Sequence, residues 1–108
     1  MYIPDRGDII WLDFEPSVGK ENTKRRPAYV VSRKAFNEHT GFALVAPITS
    51  TVRNVRLEVV LEGTETEGAI SSYQMKSFDF AQRQATLIEK APAAIIAAMT
   101  QIIQVIVR

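Results

Sequence analysis

Short extended runs follow one another from Asp8 to Ile88, and each is cut off by proline, glycine or a polar cluster before it can grow into a helix. Such a chain has few folds open to it. Asp8–Phe14 alternates, with Ile10, Leu12 and Phe14 on one side and Ile9, Trp11 and Asp13 on the other, until Pro16 and Gly19 end it. Ala28–Ser32, Phe42–Ile48, Leu57–Leu61, Ala69–Met75 and Ala85–Ile88 read as further strands, with a helical turn over Arg33–His39. Glu58 should face outward, and Glu62, Glu65 and Glu67 around Gly63 and Gly68 should form an exposed hairpin connection. The period changes at Pro92. Ile95, Met99, Ile102, Ile103 and Ile106 recur every three or four residues, which predicts one C-terminal helix with Pro92 in its first turn. The pattern is mainly β with appended helix, and strands at this spacing predict a small barrel.

At 108 residues, without linker or repeat, residues 1–108 read as one domain. The balance of 46% hydrophobic to 23% charged residues is that of a globular chain with a thin core, not a disordered one. The absence of cysteine excludes disulfides, thiolate zinc sites and a cysteine nucleophile, and makes a cytoplasmic setting the expectation. No apolar run approaches the roughly 20 residues of a membrane span.

Charge is concentrated where no core could hide it. Between Ser17 and Lys34 stand six basic side chains and one acid, Glu21, although the whole chain carries only +1. This segment is either a solvated loop or a phosphate-binding one, since arginine offers a rigid fork of donors and lysine a mobile point charge. Elimination narrows the chemistry. His39 is the only histidine, so paired imidazole acid–base catalysis is unavailable. Asp5, Asp8 and Asp13 lie along a strand and the glutamates from Glu58 to Glu67 line a turn, so neither a metal nor another cofactor is expected. Gly63 and Gly68 lack the lysine and helix of a P-loop.

Four blocks, taken together, carry a resemblance: Gly7-Asp8-Ile9-Ile10-Trp11; Gly19-Lys20-Glu21; Arg26-Pro27-Ala28-Tyr29-Val30-Val31-Ser32; and Ala46-Pro47-Ile48-Thr49-Ser50. In order and spacing they resemble the MazF/PemK family of toxin endoribonucleases, and the likeness continues through Gly68-Ala69-Ile70 and Gln74-Met75-Lys76-Ser77 to the C-terminal helix. The resemblance implies an SH3-like barrel with short connecting helices and a C-terminal helix. It also implies a homodimer, a cognate antitoxin, and metal-independent cutting of single-stranded RNA within a short preferred sequence. The family's catalytic arginine and threonine fall on Arg26 and Thr49, and its loop glutamate on Glu21. Thr23, Lys24 and Arg25 replace a frequent glycine, and a frequent aspartate before the later glutamine is Tyr73 here.

Arg26 suits charge stabilisation or general-acid duty better than proton removal, Glu21 is the better-matched base, and Thr49 would hold the phosphate by its hydroxyl. Without the resemblance, Arg26 could simply pair with Glu21 and Thr49 simply satisfy the turn after Pro47. Further RNA contacts are expected from Lys20, Lys24, Arg25, Arg53, Arg56 and Lys76, with Gln74 and Asn37 as base readers and Tyr29 and Tyr73 as the freer stacking aromatics; Trp11 and Phe14 read as core. An acidic, flexible antitoxin segment would cover Lys24, Arg25 and Arg26. Two other classes share the architecture. A gyrase-binding toxin would want a C-terminal tryptophan, whereas the only tryptophan is Trp11, and a noncatalytic RNA-binding module has no use for Glu21.

Overall fold

The computed structural model describes residues 1–15 and 24–108. Strand β1 (Asp8–Glu15) pairs with β2 (Lys24–Val30) on one side and β7 (Thr86–Lys90) on the other. β3 (Phe42–Thr49) pairs with β2, and then divides its far edge between two partners. Its first half meets β6 (Lys76–Asp79) and its last two residues meet β5 (Ala69–Ser71), which in turn pairs with β4 (Glu58–Val60). All pairings are antiparallel, and the path runs β4-β5-β3-β2-β1-β7 with β6 beside β3.

The alternation read from β1 sorts the molecule into two cores. Ile10, Leu12, Ala28, Val30, Ala43, Val45, Phe78 and Phe80 are buried together on one face. Ile9, Tyr29, Ala46, Ile48 and Ile70 bury the other against Ile95 and Met99 of α2 (Ala93–Val107). This is the barrel-like sheet with a C-terminal helix that the run lengths predict. Pro92 stands at the N-cap of α2 with extended backbone, one position before the first helical turn. Among the described residues no helix is long and apolar enough to cross a membrane.

Several boundaries differ from the sequence reading. β2 starts at Lys24, so Arg25, Arg26 and Pro27 are strand residues. The single strand expected over Ala69–Met75 is divided: β5 ends at Ser71, a 3-10 turn spans Ser72–Gln74, and β6 follows. Buried Ser72 explains the break, because its N–H donates to the Leu57 carbonyl at 3.1 Å and its hydroxyl donates to the same oxygen, fastening the turn to the segment before β4. Glu58, expected to face outward, is half-buried and accepts the Arg53 N–H at 3.0 Å. The acidic β4–β5 connection exposes Glu62, Glu65 and Glu67 as expected, while its middle is fastened to Glu89 of β7. Burial pushes the Glu89 carboxyl up, but hydrogen bonds from the backbone of Glu65 and from the hydroxyl and backbone of Thr66 outweigh it and hold the group below its usual range.

Candidate active site

Arg26 lies on the same face of β2 as Ala28 and Val30, by simple alternation, and Thr49 on the same face of β3 as Val45 and Pro47. Ala28 is opposite Pro47 in the β2–β3 ladder, so carrying the register two residues further sets Arg26 and Thr49 at the same end of the same face. Thr49 is half-buried at the strand end; its Oγ1 accepts the Thr51 N–H at 3.1 Å and makes a long contact of 3.5 Å to the Thr51 carbonyl. The turn after Pro47 is thus satisfied by Thr49, through an acceptor contact that leaves the weakly engaged proton available to an incoming oxygen.

Gly68 fixes where Thr49 sits. A Cβ at position 68 would stand 2.2 Å from the Thr49 carbonyl oxygen, and the residue has φ +126, a conformation that side chains avoid. Only glycine lets β5 approach β3 this closely.

Beside Arg26 opens a hollow of about 390 Å³, lined by Phe14, Arg26, Pro47, Tyr73, Gln74, Met75 and Lys76. Among the described residues its lining includes the cations Arg26 and Lys76 and the aromatics Phe14 and Tyr73, and no carboxylate. Phe14 enters because the β1–β2 ladder slips there: Asp13 pairs with Arg25 and Glu15 with Lys24, which leaves Phe14 as an extra residue. Its carbonyl accepts from Arg83 Nη1 at 2.8 Å, and its ring meets Phe78 edge-on with centroids 5.2 Å apart. The Arg83 guanidinium in turn lies 5.1 Å from the Phe78 ring centre.

The hollow brings together Arg26, Tyr73, Gln74 and Lys76 of the candidate RNA-facing residues singled out in the sequence. Others are placed elsewhere. Arg25 points to the opposite face of β2, outside the hollow's lining, where its guanidinium bonds the Asp13 carboxylate at 2.8 Å, the Gln84 carbonyl at 2.7 Å and Thr86 Oγ1 at 3.0 Å and clamps the strands together. Asn37 cannot read a base. It is fully buried in α1 (Lys34–Thr40), its amide donating to the carbonyls of Pro4 and Ser32 and its oxygen accepting the Ser32 hydroxyl. Tyr29 is buried in the core beneath α2, while Trp11 is 42% exposed, the reverse of the sequence reading. Arg53 and Arg56 are exposed between β3 and β4, outside the hollow's lining. Lys20 and Glu21 lie outside the described residues, and Lys24 opens β2.

Phe14, read as core, does pack partly against the buried cluster, and it also lines the hollow, which the sequence reading did not anticipate. Its position at the end of the strand face that carries Ile10 and Leu12, across from Arg26, was the available signal; the bulge that turns it was not visible in a list of residues.

A small antiparallel barrel that carries a cationic, aromatic-walled hollow at one end of its sheet defines a class of protein equipped to hold a phosphate beside a planar group. The chain belongs to the family described as PemK-like, MazF-like toxin of type II toxin-antitoxin system, matching it over residues 5–107. It is 42% identical over 85 residues to the endoribonuclease toxin MazF of Escherichia coli K12, covering 79% of this chain and 77% of that one. It is 30% identical over 96 residues to Escherichia coli endoribonuclease PemK, covering 84% and 72%. A MazE-MazF crystal structure from Deinococcus radiodurans superposes with a TM-score of 0.86 at 32% identity, covering 98% of this chain and 97% of that one.

Proposed function

We propose that this chain is the toxin of a type II pair and an endoribonuclease that cuts single-stranded RNA without a metal ion, so that translation and growth stop. The observation that carries this reading is the convergence of Arg26 and Thr49 on one face and one end of the sheet, beside a hollow of nucleotide size. The 2′-hydroxyl attacks its own phosphorus. The new 2′-O–P bond forms as the P–O5′ bond breaks, the 2′ proton goes to a base, and the departing 5′-oxygen takes up a proton. Arg26 stabilises the charge that grows on the equatorial oxygens or protonates the leaving oxygen, because its own pKa is too high for a base. Thr49 donates its hydroxyl to a phosphate oxygen. Glu21, assigned by family resemblance, is the base.

Further phosphate contacts come from Lys76, Lys20 and Lys24, with Arg53 and Arg56 along the path of a longer strand. The relatives' names and the Deinococcus pair support a protein partner, and the charge of the Ser17–Lys34 segment suits an acidic peptide as the inhibitory part. Val105 and Val107 are 70% and 69% exposed at the end of α2, and Val60 is 39% exposed on edge strand β4, which supports burial against a second copy. Sedimentation of the purified chain reads that state directly.

The deciding experiment is incubation of single-stranded RNA with the protein in excess chelator. Fragments should end in 2′,3′-cyclic phosphate and 5′-hydroxyl groups, and a 2′-deoxy substitution at the cut should block cleavage while permitting binding. Activity lost in chelator, or cleavage of the 2′-deoxy site, would end the proposal.

A further inference from the structure

We infer that the pocket of about 480 Å³ lined by Arg6, Ser32, Arg33, Phe36, Leu44 and Ser77 is a second nucleotide site, which holds one phosphate and one base of the RNA strand away from the cut, on the face of the sheet opposite the hollow. The inference rests on the ribonuclease reading above and adds to it a reason why a long strand should bind better than the few nucleotides around the cut.

Strand alternation sets the two sites back to back. Lys76 is opposite Val45 and Ser77 opposite Leu44 in the β3–β6 ladder, so neighbouring residues of β6 serve the two faces: Lys76 lines the hollow and Ser77 lines this pocket. Among the described strands β6 pairs with β3 alone. An RNA strand that passes round this edge covers about 10 Å or more, the depth of a sheet with its side chains, which a few nucleotides span.

The pocket is built before any ligand arrives. Fully buried Asn37 donates its amide to the carbonyls of Pro4 at 2.8 Å and Ser32 at 3.1 Å, and the Ser32 hydroxyl accepts the Leu44 N–H at 2.8 Å, so α1, β3 and the N-terminal segment are tied together at its base. One oxygen of the Asp5 carboxylate accepts the N–H of Arg6 at 2.8 Å and that of Lys34 at 2.9 Å, which clasps the two segments that carry Arg6 and Arg33. Lys90 lies 3.9 Å from the other Asp5 oxygen and offsets the acid's charge. Arg6 uses one N–H on the Val31 carbonyl at 3.3 Å, and its guanidinium is thereby tied to the backbone just after β2. Arg33 and Phe36 stand one helical turn apart at the start of α1, and the Phe36 ring is 49% exposed.

The parts of this wall define what it recognises. Guanidinium forks match phosphate oxygens, the two serine hydroxyls add donors, and an open ring beside them is a platform for a base. A nucleotide uses fork and ring together, at the spacing its own phosphate and base fix. An acidic peptide would need two different residues for the same contacts.

The test compares the binding of two uncleavable single strands with 2′-deoxyribose at the cut: a trinucleotide centred on it, and the same sequence extended by several nucleotides on both sides. Each variant is first checked for an unchanged thermal transition. Wild type should prefer the long strand by at least about tenfold, the scale of one base stack. Phe36→Ala should remove most of that preference, and Phe36→Trp, which keeps a ring, should retain it. Arg33→Ala should reduce the slope of log affinity against log salt by about 0.7, one phosphate contact of a single strand, for the long strand only. No preference for the long strand in wild type, or a preference that Phe36→Ala and Arg33→Ala both leave intact, overturns the second site, while the ribonuclease reading stands or falls on cleavage alone. A glutamate-rich peptide that binds with Phe36-dependent affinity, while long and short RNA bind alike, assigns the pocket to a protein partner and overturns it too. Should wild type cut no RNA, the ribonuclease reading fails, and homopolymer RNAs of increasing length then test the pocket: a gain with length that Phe36→Ala removes supports it, and a gain indifferent to Phe36 rejects it.

Discussion

Arg25 and Arg26 are adjacent, equally charged, and part of one basic run, yet strand alternation sends them to opposite faces of β2 and to opposite work. Arg25 meets the buried Asp13 carboxylate, Gln84 and Thr86, and ties β1, β2 and the approach to β7 together. Arg26 faces the hollow with Lys76, Tyr73 and Phe14. A charge count treats the two as one patch, whereas the pleat separates a cation that bridges strands from one that lines the hollow. The same division runs through the molecule: one face of the sheet ends in the hollow, the other is closed by α2 and by ion pairs.

The sharpest way to break that comparison is Arg26→Ala. Cleavage should fall by about 10²–10³, the scale for removing one transition-state donor, while the thermal transition stays within about 0.5 kcal/mol of wild type. Thr49→Ala should lose activity in the same direction, with at most about 1 kcal/mol of stability lost with the Thr51 contact. Measured kcat/KM alongside thermal melts decides both; a large loss of stability in either would make it a structural residue.

Gly68→Ala tests whether the active face depends on backbone approach. The new methyl would collide with the Thr49 carbonyl at 2.2 Å in a backbone conformation that alanine avoids, so β5 and β3 must separate. Strain and overpacking together should cost about 2–4 kcal/mol, and the protein that still folds should cleave poorly because Thr49 has moved. Wild-type activity in a well-folded Gly68→Ala protein would show that Thr49 tolerates displacement.

Arg25→Ala should do the converse of Arg26→Ala. The arginine side chain is 34% exposed and the Asp13 side chain 11%, so solvent takes up part of the loss and the cost should be about 1–2 kcal/mol. Below the lowered melting temperature, RNA affinity and its salt dependence should remain close to wild type, because this cation does not face the hollow. Combining it with Asp13→Ala should cost less than the sum of the two single changes. A flattened salt dependence in Arg25→Ala alone would put it back among the phosphate contacts.

How far the fold could be read in advance followed from the kind of signal involved. β1 was legible because its two faces are written in alternate residues, and α2 because one apolar stripe recurs along it. The division of Ala69–Met75 was not, since it depends on Ser72 reaching Leu57, fifteen positions away in sequence. Within the site, Arg26 and Thr49 came from a family resemblance and Gln74 and Lys76 from side-chain chemistry, and composition alone would have left the arginine as a solvated charge. Asn37 looked like a base reader for want of any sequence sign that Pro4 and Ser32 would enclose it. The contacts of Arg25 and the second role of Phe14, which packs on the core and also lines the hollow, were hidden by one cause: a strand that begins before its apolar residues do, opposite a bulge.

The smallest effect is expected on the face that the hollow does not share. Tyr29 is 1% exposed in the core beneath α2, and among the described residues its hydroxyl has no hydrogen-bond partner. Burial pushes that hydroxyl up to about 12, against a partial offset from the positive charge of Arg6. The folded chain therefore holds the proton more tightly than the unfolded one, whose tyrosines ionise near pH 10. Stability from this group is fully present below about pH 10 and is lost as pH rises from 10 through 12, by roughly 2–3 kcal/mol over the interval. Burial and the Asp8 carboxylate raise Tyr2 as well, so the alkaline limb has two contributors. Tyr29→Phe should change stability at pH 7 by no more than about 1 kcal/mol, since it removes a buried donor that makes no bond. It should also remove one of the two contributions above pH 10 and leave cleavage at neutral pH as it was. Chemical denaturation at pH 7 and at pH 11 separates these outcomes: an equal loss in both would mean that the hydroxyl carries a structural bond, and an alkaline limb identical to wild type would mean that Tyr29 does not titrate with unfolding.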